Sequence, residues 1–144
     1  MVDIETMATS TNAAILSIAA VKFNRCDPIK PLKDTFYVKI TKESCKKLGL
    51  FYDINSENWW KTQSQEAQQE IFGEKDRIDM KQALIQLTDF IEDADFFWAN
   101  SPNFDFVILE NAYSRCGMKA PWEYWKLRDT RTVYDIANIN LKCF

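Results

Sequence analysis

Three segments near the amino terminus have the hydrophobic pattern of β-strands. Residues 13–23 form a run rich in branched apolar side chains that ends at Asn24, which favours a buried strand. Residues 34–40 alternate apolar or aromatic side chains with polar ones, and residues 1–4 would pair beside the buried run. With short turns at 9–12 and 25–33, the pattern predicts an antiparallel three-stranded meander.

Helical periodicity appears in the middle of the chain. Residues 80–91 carry apolar side chains at 80, 83, 84, 87, 90 and 91, which form one face of an amphipathic helix. Two shorter helices are predicted before it. The first covers 56–65 with Ser56 as its cap, and the second runs from Ser64 to residue 71.

The last third of the chain alternates strands and helices. Residues 95–100 have the pattern of a short strand, and the Ser-Pro pair at 101–102 opens a helix that runs to residue 116, where Gly117 ends it. A short strand at 126–130 and a helix from Val133 onward follow. The element order predicts an α/β fold with a mixed sheet flanked by helices.

Composition narrows the class of protein. With 144 residues, of which 47 % are hydrophobic, the chain is long enough for one domain, 1–144, with a packed core. The net charge of −3 disfavours a protein that binds nucleic acid through its whole-molecule field. There is no histidine, and the four cysteines form no C-x-x-C pair, so a zinc site is not expected. No apolar run approaches a membrane span and no signal peptide is evident, so we expect a cytoplasmic protein that does not bind membranes.

Two acidic motifs suggest metal-dependent chemistry. Asp3 and Glu5 form D-x-E on the first predicted strand, where residues two apart share a face and both carboxylates can reach one metal ion. Asp105 ends the string NSPNFD, of the form N-x-x-x-[F/Y]-D, and lies in the first turn of a predicted helix. Either motif alone is common in ordinary proteins, but the two in this order are more specific.

Together with these motifs, several strings carry a family resemblance: MVDIET followed by AAILSIAAVKF, WANSPNFDFVILENAY, WWKTQS, Pro121-Trp122 with Trp125, and RDTRT at 128–132. The chain resembles the DEDD 3′–5′ exonucleases of the RNase-H-like superfamily. More narrowly, it is similar to the phage exonuclease A and mycobacterial exoribonuclease-like family. The resemblance spans nearly the whole chain and implies an RNase-H-like sheet.

The resemblance also implies a mechanism and a set of site residues. Two Mg²⁺ or Mn²⁺ ions about 4 Å apart would be held by carboxylates and would activate water against the terminal phosphodiester of single-stranded DNA or RNA 3′ ends. Phe104 and Trp60 would stack on bases, although Trp60 could equally pack in the core, and Arg131 would hold a phosphate or cap the final strand. The implied catalytic and metal-binding residues are Asp3, Glu5 and Asp105, and the implied substrate-binding residues are Thr6, Met7, Trp60, Asn100, Phe104 and Arg131.

The chain departs from the family at its last motif. The family carries H-x-x-x-x-D on a final helix and its sister class Y-x-x-x-D, but Tyr134 is followed four residues later by Asn138. We therefore expect a domain truncated before the final catalytic helix, with weak or absent activity, and a homodimer through the face left open. One alternative is a catalytically dead nucleic-acid-binding or protein-interaction module, such as a prophage remnant. Another is an α/β domain with no nucleic-acid role.

Overall fold

The amino-terminal strands form the antiparallel meander that the sequence predicts. The computed structural model describes residues 1–24, 26–27 and 34–139. The strands are β1 Val2–Thr6, β2 Ile15–Val21 and β3 Thr35–Ile40. Strand β2 pairs antiparallel with both neighbours. The predicted turn at 9–12 is confirmed by a hydrogen bond from Ala13 N–H to Ser10 O at 3.0 Å, whereas most of the predicted turn at 25–33 lies outside the described residues.

Three shorter strands complete the α/β architecture. Strand β4, Arg77–Ile78, runs parallel to β3 and extends the sheet to the order β1-β2-β3-β4. Strands β5, Phe97–Ala99, and β6, Leu127–Asp129, form a separate parallel pair, and β5 contacts β1. The predicted mixture of antiparallel and parallel strands is therefore confirmed. The sequence did not predict β4, because two residues are too few to show an alternating pattern.

Six α-helices and one 3₁₀ turn accompany the strands within the described residues. They are α1 Lys42–Lys47, α2 Ile54–Trp60, α3 Gln65–Phe72, α4 Met80–Ile91, α5 Pro102–Arg115, α6 Thr130–Ile136 and the 3₁₀ turn Tyr124–Lys126. Helix α4 has the predicted bounds, and α5 ends just before Gly117, whose φ of 70° needs a glycine-like conformation. None of the described helices combines the length and the apolar character that crossing a membrane requires.

Two helices begin earlier than the sequence predicts. Helix α2 begins at Ile54 rather than after Ser56, because the Asp53 side chain accepts a hydrogen bond from Asn55 N–H at 3.0 Å. Helix α6 begins at Thr130 rather than at Val133, since Asp129 caps it in the same way. Aspartate and serine are comparable N-caps, so the sequence alone could not rank one above the other.

The two faces of the meander differ in polarity, and this difference positions the acids. Val2 and Ile4 are buried on the face that packs on α4, where aromatic rings of β3 and α4 meet. Asp3 and Glu5 alternate with them and point to the opposite face. Helix α3 covers the β2–β3 part of that face, where Glu70 accepts a hydrogen bond from a β3 tyrosine at 2.9 Å. Asp3 and Glu5 of β1 lie on the same face of the sheet, beside the part that α3 covers.

Neighbouring residues of α4 give a matched test of the core. Leu84 is fully buried and Ile85 is exposed. We expect Leu84→Ala to lower the free energy of unfolding by about 2–5 kcal/mol, because it removes buried methyl groups and leaves a cavity. Ile85→Ala should change it by less than about 0.5 kcal/mol. Chemical denaturation of both variants measures the difference, and equal losses would mean that the face of α4 is assigned wrongly.

Candidate active site

The acidic pair of β1 lies at the start of the chain's first strand. Asp3 is exposed and Glu5 is half-buried, while their neighbours Val2 and Ile4 are buried on the other face. The side chains of Asp3 and Glu5 therefore share one face, as the D-x-E motif predicts. A bulge in the pairing of β1 with β2 follows directly between Glu5 and Thr6, so this shared register ends at Glu5.

Asp105 is the buried acid of the site, with 4 % of its surface exposed. It lies in the first turn of α5, and its Oδ1 accepts a hydrogen bond from Ile4 N–H at 3.2 Å. This N–H is available because bonded and non-bonded pairs alternate along an antiparallel ladder. Met1 and Val21 bond to each other, so position 4 turns its backbone groups away from β2. The bond joins two motifs that are 101 residues apart in the sequence.

A hollow of about 350 Å³ opens in front of these acids. It is lined by Asp3, Ile4, Asn100, Ser101, Phe104, Asp105 and Arg131. The structure thus brings five of the sequence-predicted site residues to one place, from β1, the β5–α5 junction and α6. Glu5 does not line the hollow, but it interacts electrostatically with both Asp3 and Asp105.

The charge of Asp3 disfavours the charged forms of both Asp105 and Glu5. Burial raises the pKa of Asp105 to about 6, and the charge of Asp3 adds to this rise, while backbone hydrogen bonds such as that from Ile4 oppose it. Partial loss of solvent around its carboxylate also raises the pKa of Asp3, although the residue as a whole is exposed. The pKa of Glu5 is raised by burial first and then by the charges of Asp3 and Asp105. The site therefore concentrates negative charge that is only partly compensated by backbone groups.

This donor set has the chemistry of a site for a hard divalent cation. Carboxylate oxygens are the ligands that Mg²⁺ and Mn²⁺ prefer, and a nearby cation favours the charged form of an acid. Within the described residues, no basic side chain forms an ion pair with Asp3, Glu5 or Asp105. The same part of the chain contains no group of three acid or cysteine side chains close enough together to hold one ion. The donors fit such a cation, although in this conformation they do not form a complete ligand shell.

Three polar or aromatic residues line the same hollow as the acids. Asn100 follows β5, and its Oδ1 accepts a hydrogen bond from the Thr130 hydroxyl at 3.1 Å, which leaves the amide NH₂ as a donor. Phe104 is half-buried, with its ring packed against the core. Arg131 is exposed and forms no ion pair with a described acid. These three residues thus offer an amide, a ring and a cation to a molecule bound in the hollow.

Three of the predicted substrate contacts lie elsewhere. Trp60 is 4 % exposed and donates its indole N–H to Thr6 O at 3.0 Å, so the core-packing alternative is correct and the ring cannot stack on a base. Met7 is also buried, and its backbone N–H and C=O bond to Ala14 and Asp53, so its expected contact with a nucleotide stays a prediction. The Thr6 hydroxyl donates to a nearby carbonyl oxygen, that of Ala8, at 2.7 Å and is already engaged.

Two residues that position the site were missed by sequence reasoning. The Ile4 N–H holds Asp105, but a backbone donor leaves no mark in the sequence. The Thr130 hydroxyl holds Asn100 and also donates to the backbone oxygen of Ala99 in β5 at 3.3 Å. A threonine directly after the cap of α6 was a weak clue to this role, because its hydroxyl can bond to backbone or side chain near the start of a helix.

The strand order, the acidic β1 and the acid that opens α5 define the class of protein: the fold is that of an RNase-H-like exonuclease domain. A family model described as the 3′-5′ exoribonuclease Rv2179c-like domain matches residues 1–143, and the chain belongs to this family. An exodeoxyribonuclease of Enterobacteria phage T4 is 26 % identical over an aligned length of 160 residues. The alignment covers 92 % of this chain and 68 % of that protein. The resemblance to the DEDD exonucleases is confirmed, and membership indicates a nuclease with 3′–5′ exonuclease activity.

The raised pKa of Asp105 predicts how stability depends on pH. Because its pKa is about 6 in the folded chain and 3.8 in the reference state, the protonated acid favours folding below about pH 4, and this contribution is lost as the pH rises to about 6. We expect the metal-free protein to lose on the order of 2–3 kcal/mol over this interval. Asp105→Asn keeps an acceptor for Ile4 N–H but carries no charge, so it should be more stable than the wild type at neutral pH.

Chemical denaturation in a chelator at several pH values tests this prediction. Asp89→Asn, an exposed acid of α4, is the matched control and should follow the wild-type profile. The raised pKa values of Asp3 and Glu5 act in the same direction, so Asp105→Asn should retain a smaller dependence of the same sign. Stability that rises between about pH 4 and 6 in the wild type would contradict the burial of a repelled carboxylate.

Proposed function

We propose that the chain is a 3′–5′ exonuclease that acts on single-stranded DNA or RNA ends by phosphodiester hydrolysis with two divalent cations, Mg²⁺ or Mn²⁺. One observation carries the proposal. Asp105 is buried, bonded to the strand of Asp3 and faces the same hollow as Asp3 and Arg131. A hollow lined by two acids and an arginine suits a cation-bound phosphodiester.

Asp3, Glu5 and Asp105 would hold the cations. When bound, the cations supply Lewis-acid activation of the phosphodiester and of water. The chain's own residues keep the carboxylates oriented. The bond from Ile4 N–H engages Oδ1 of Asp105 and fixes the orientation of the carboxylate. Because the pKa of Asp105 is about 6, this acid is mostly ionised at neutral pH, and cation binding should weaken in acid.

The residues of the hollow that are not acidic would bind the terminal nucleotide. Arg131 offers a planar fork of donors for a phosphate and has no acidic partner among the described residues. The amide of Asn100 offers a hydrogen-bond donor, and Phe104 offers a ring edge or face for a base. With the Trp60 ring buried in the core, these three side chains would supply the contacts to the terminal nucleotide.

The choice between RNA and DNA stays open in this proposal. The family model names an exoribonuclease and the phage relative is named an exodeoxyribonuclease.

The 144 residues contain no histidine to act as a general base, a role worth about 10²–10⁴-fold in rate. We therefore expect slow turnover. The single-domain organisation and the cytoplasmic location stay predictions from the sequence.

A nuclease assay on 3′-labelled single-stranded RNA and DNA tests the proposal. We expect Mn²⁺-dependent release of the labelled terminal nucleotide that is abolished by a chelator. Asp105→Asn and Asp3→Asn should each lower the rate at least about 100-fold, because each removes a cation ligand. Asp89→Asn, the exposed control, should leave it unchanged.

The same assay separates the proposal from its alternative. A module that has kept the fold but lost catalysis would bind the oligonucleotides without releasing the label in any metal. Equal rates for the wild type and Asp105→Asn would show that turnover arises elsewhere. Release from the 5′ end alone would contradict the proposed direction.

The expected homodimer also stays a prediction. Val133 and Ile136 of α6 are exposed apolar side chains, and a second copy could cover them in an isologous contact. Light scattering over a dilution series should show a dimer that dissociates on dilution, and Ile136→Asp should favour the monomer. Ile85→Asp, on the exposed side of α4, is the control. A strict monomer at every concentration would contradict the prediction.

A further inference from the structure

A pair of aromatic rings lies exposed in the turn before β6. Tyr124 is 80 % exposed and Trp125 is 58 % exposed, and their rings meet edge to face at 5.1 Å between centroids. Large rings are usually buried to a greater extent, and adjacent exposed rings often mark a binding surface. We call Tyr124 and Trp125 the aromatic platform.

The platform stands on a well-anchored segment. On its amino-terminal side, Trp122 is buried and donates its indole N–H to Glu110 at 2.8 Å. On its carboxyl side, Arg128 donates to Trp125 O at 2.7 Å, and its guanidinium lies over the ring of Phe96 at 4.3 Å. The rings are thus presented by a turn that is fixed at both ends, which lowers the entropy cost of binding.

Strand β6 connects the platform to the candidate active site. The strand begins directly after the 3₁₀ turn and ends at Asp129, and Arg131 of the hollow follows two residues later. Arg131 lies six positions after Trp125, so the two Cα atoms are at most about 20 Å apart. A nucleic-acid strand whose end lies in the hollow can reach the platform after a few nucleotides.

We propose that the aromatic platform stacks on bases of a single-stranded nucleic acid, several nucleotides away from the end held in the hollow. This inference rests on the proposed function for the place of that end. The net charge of −3 gives the chain little general attraction for a polyanion. Stacking on exposed rings supplies affinity that does not depend on net charge, and every base offers a face for it. Arg128 adds a cation beside the rings, whereas Lys126 lines a second hollow together with Asp89, Glu92 and Glu123.

Binding and turnover measured on the same variants test the platform. Fluorescence anisotropy in a chelator would compare a labelled single strand of about ten nucleotides with a dinucleotide. We expect Trp125→Ala and Tyr124→Ala each to weaken binding of the longer strand roughly 10-fold, and Trp125→Phe to restore most of it. Mn²⁺-dependent hydrolysis of the dinucleotide should be unchanged in all three.

Trp59 provides the matched control. It is 54 % exposed, like Trp125, but lies on α2, which carries none of the residues that line the hollow. Trp59→Ala should leave both measurements unchanged, and thermal unfolding would verify that each variant is folded. Wild-type affinity for the longer strand in Trp125→Ala, or an equal loss in Trp59→Ala, would overturn the platform. So would a change of oligomeric state in Trp125→Ala without a change in nucleic-acid affinity, since it would identify a protein interface.

The two proposals fail in different ways. A wild type that binds the longer strand through the platform but hydrolyses nothing would refute the proposed exonuclease and keep the platform. Hydrolysis of the dinucleotide with no effect of Trp125→Ala or Tyr124→Ala on the longer strand would refute the platform and keep the exonuclease. A wild type that binds no single strand at low salt would overturn the platform outright.

Discussion

The hydrogen bond from Ile4 N–H to Asp105 is the interaction on which the candidate site depends. It joins the edge of β1 to the start of α5. It thereby brings a carboxylate that lies 101 positions further along the sequence beside Asp3. A buried carboxylate without such a partner would cost several kcal/mol. The same bond therefore stabilises a charge that burial disfavours and fixes the side chain that would hold a cation. The shape of the hollow and the nearness of Asp105 to Asp3 both follow from this junction.

Much of the fold can be predicted from the periodicity of apolar residues. Most differences between the predicted and the observed element bounds arise from contacts that periodicity does not encode. The meander and α4 are visible because their apolar positions repeat over many residues. The starts of α2 and α6 were placed too late, because Asp53 and Asp129 compete with other acceptable caps and only the folded chain selects between them. The acids of the site could be predicted, since their motifs survive in the sequence. The donor at Ile4 could not, because it depends on the register between two strands.

Two pairs of tryptophans show that the burial of a side chain also depends on contacts that the sequence pattern does not reveal. Trp60 is buried and bonded to the end of β1, while its neighbour Trp59 is exposed. Trp122 is buried against α5, while Trp125 is exposed three residues later. Composition assigns the same hydrophobic character to all four. The contact of each ring with a neighbouring element decides whether it contributes to the core or remains free to meet a partner.

The donor that holds Asp105 is a main-chain group, and this has a consequence for the variation that position 4 can tolerate. A side-chain donor would restrict the position to a few residue types, but every amino acid except proline carries the required N–H. Position 4 is therefore free to follow the needs of the core, where valine or leucine would serve in place of isoleucine. Proline alone would remove the bond directly. Relatives of this chain can thus diverge widely in the packing beneath the first strand while they preserve the orientation of the acid at the start of α5.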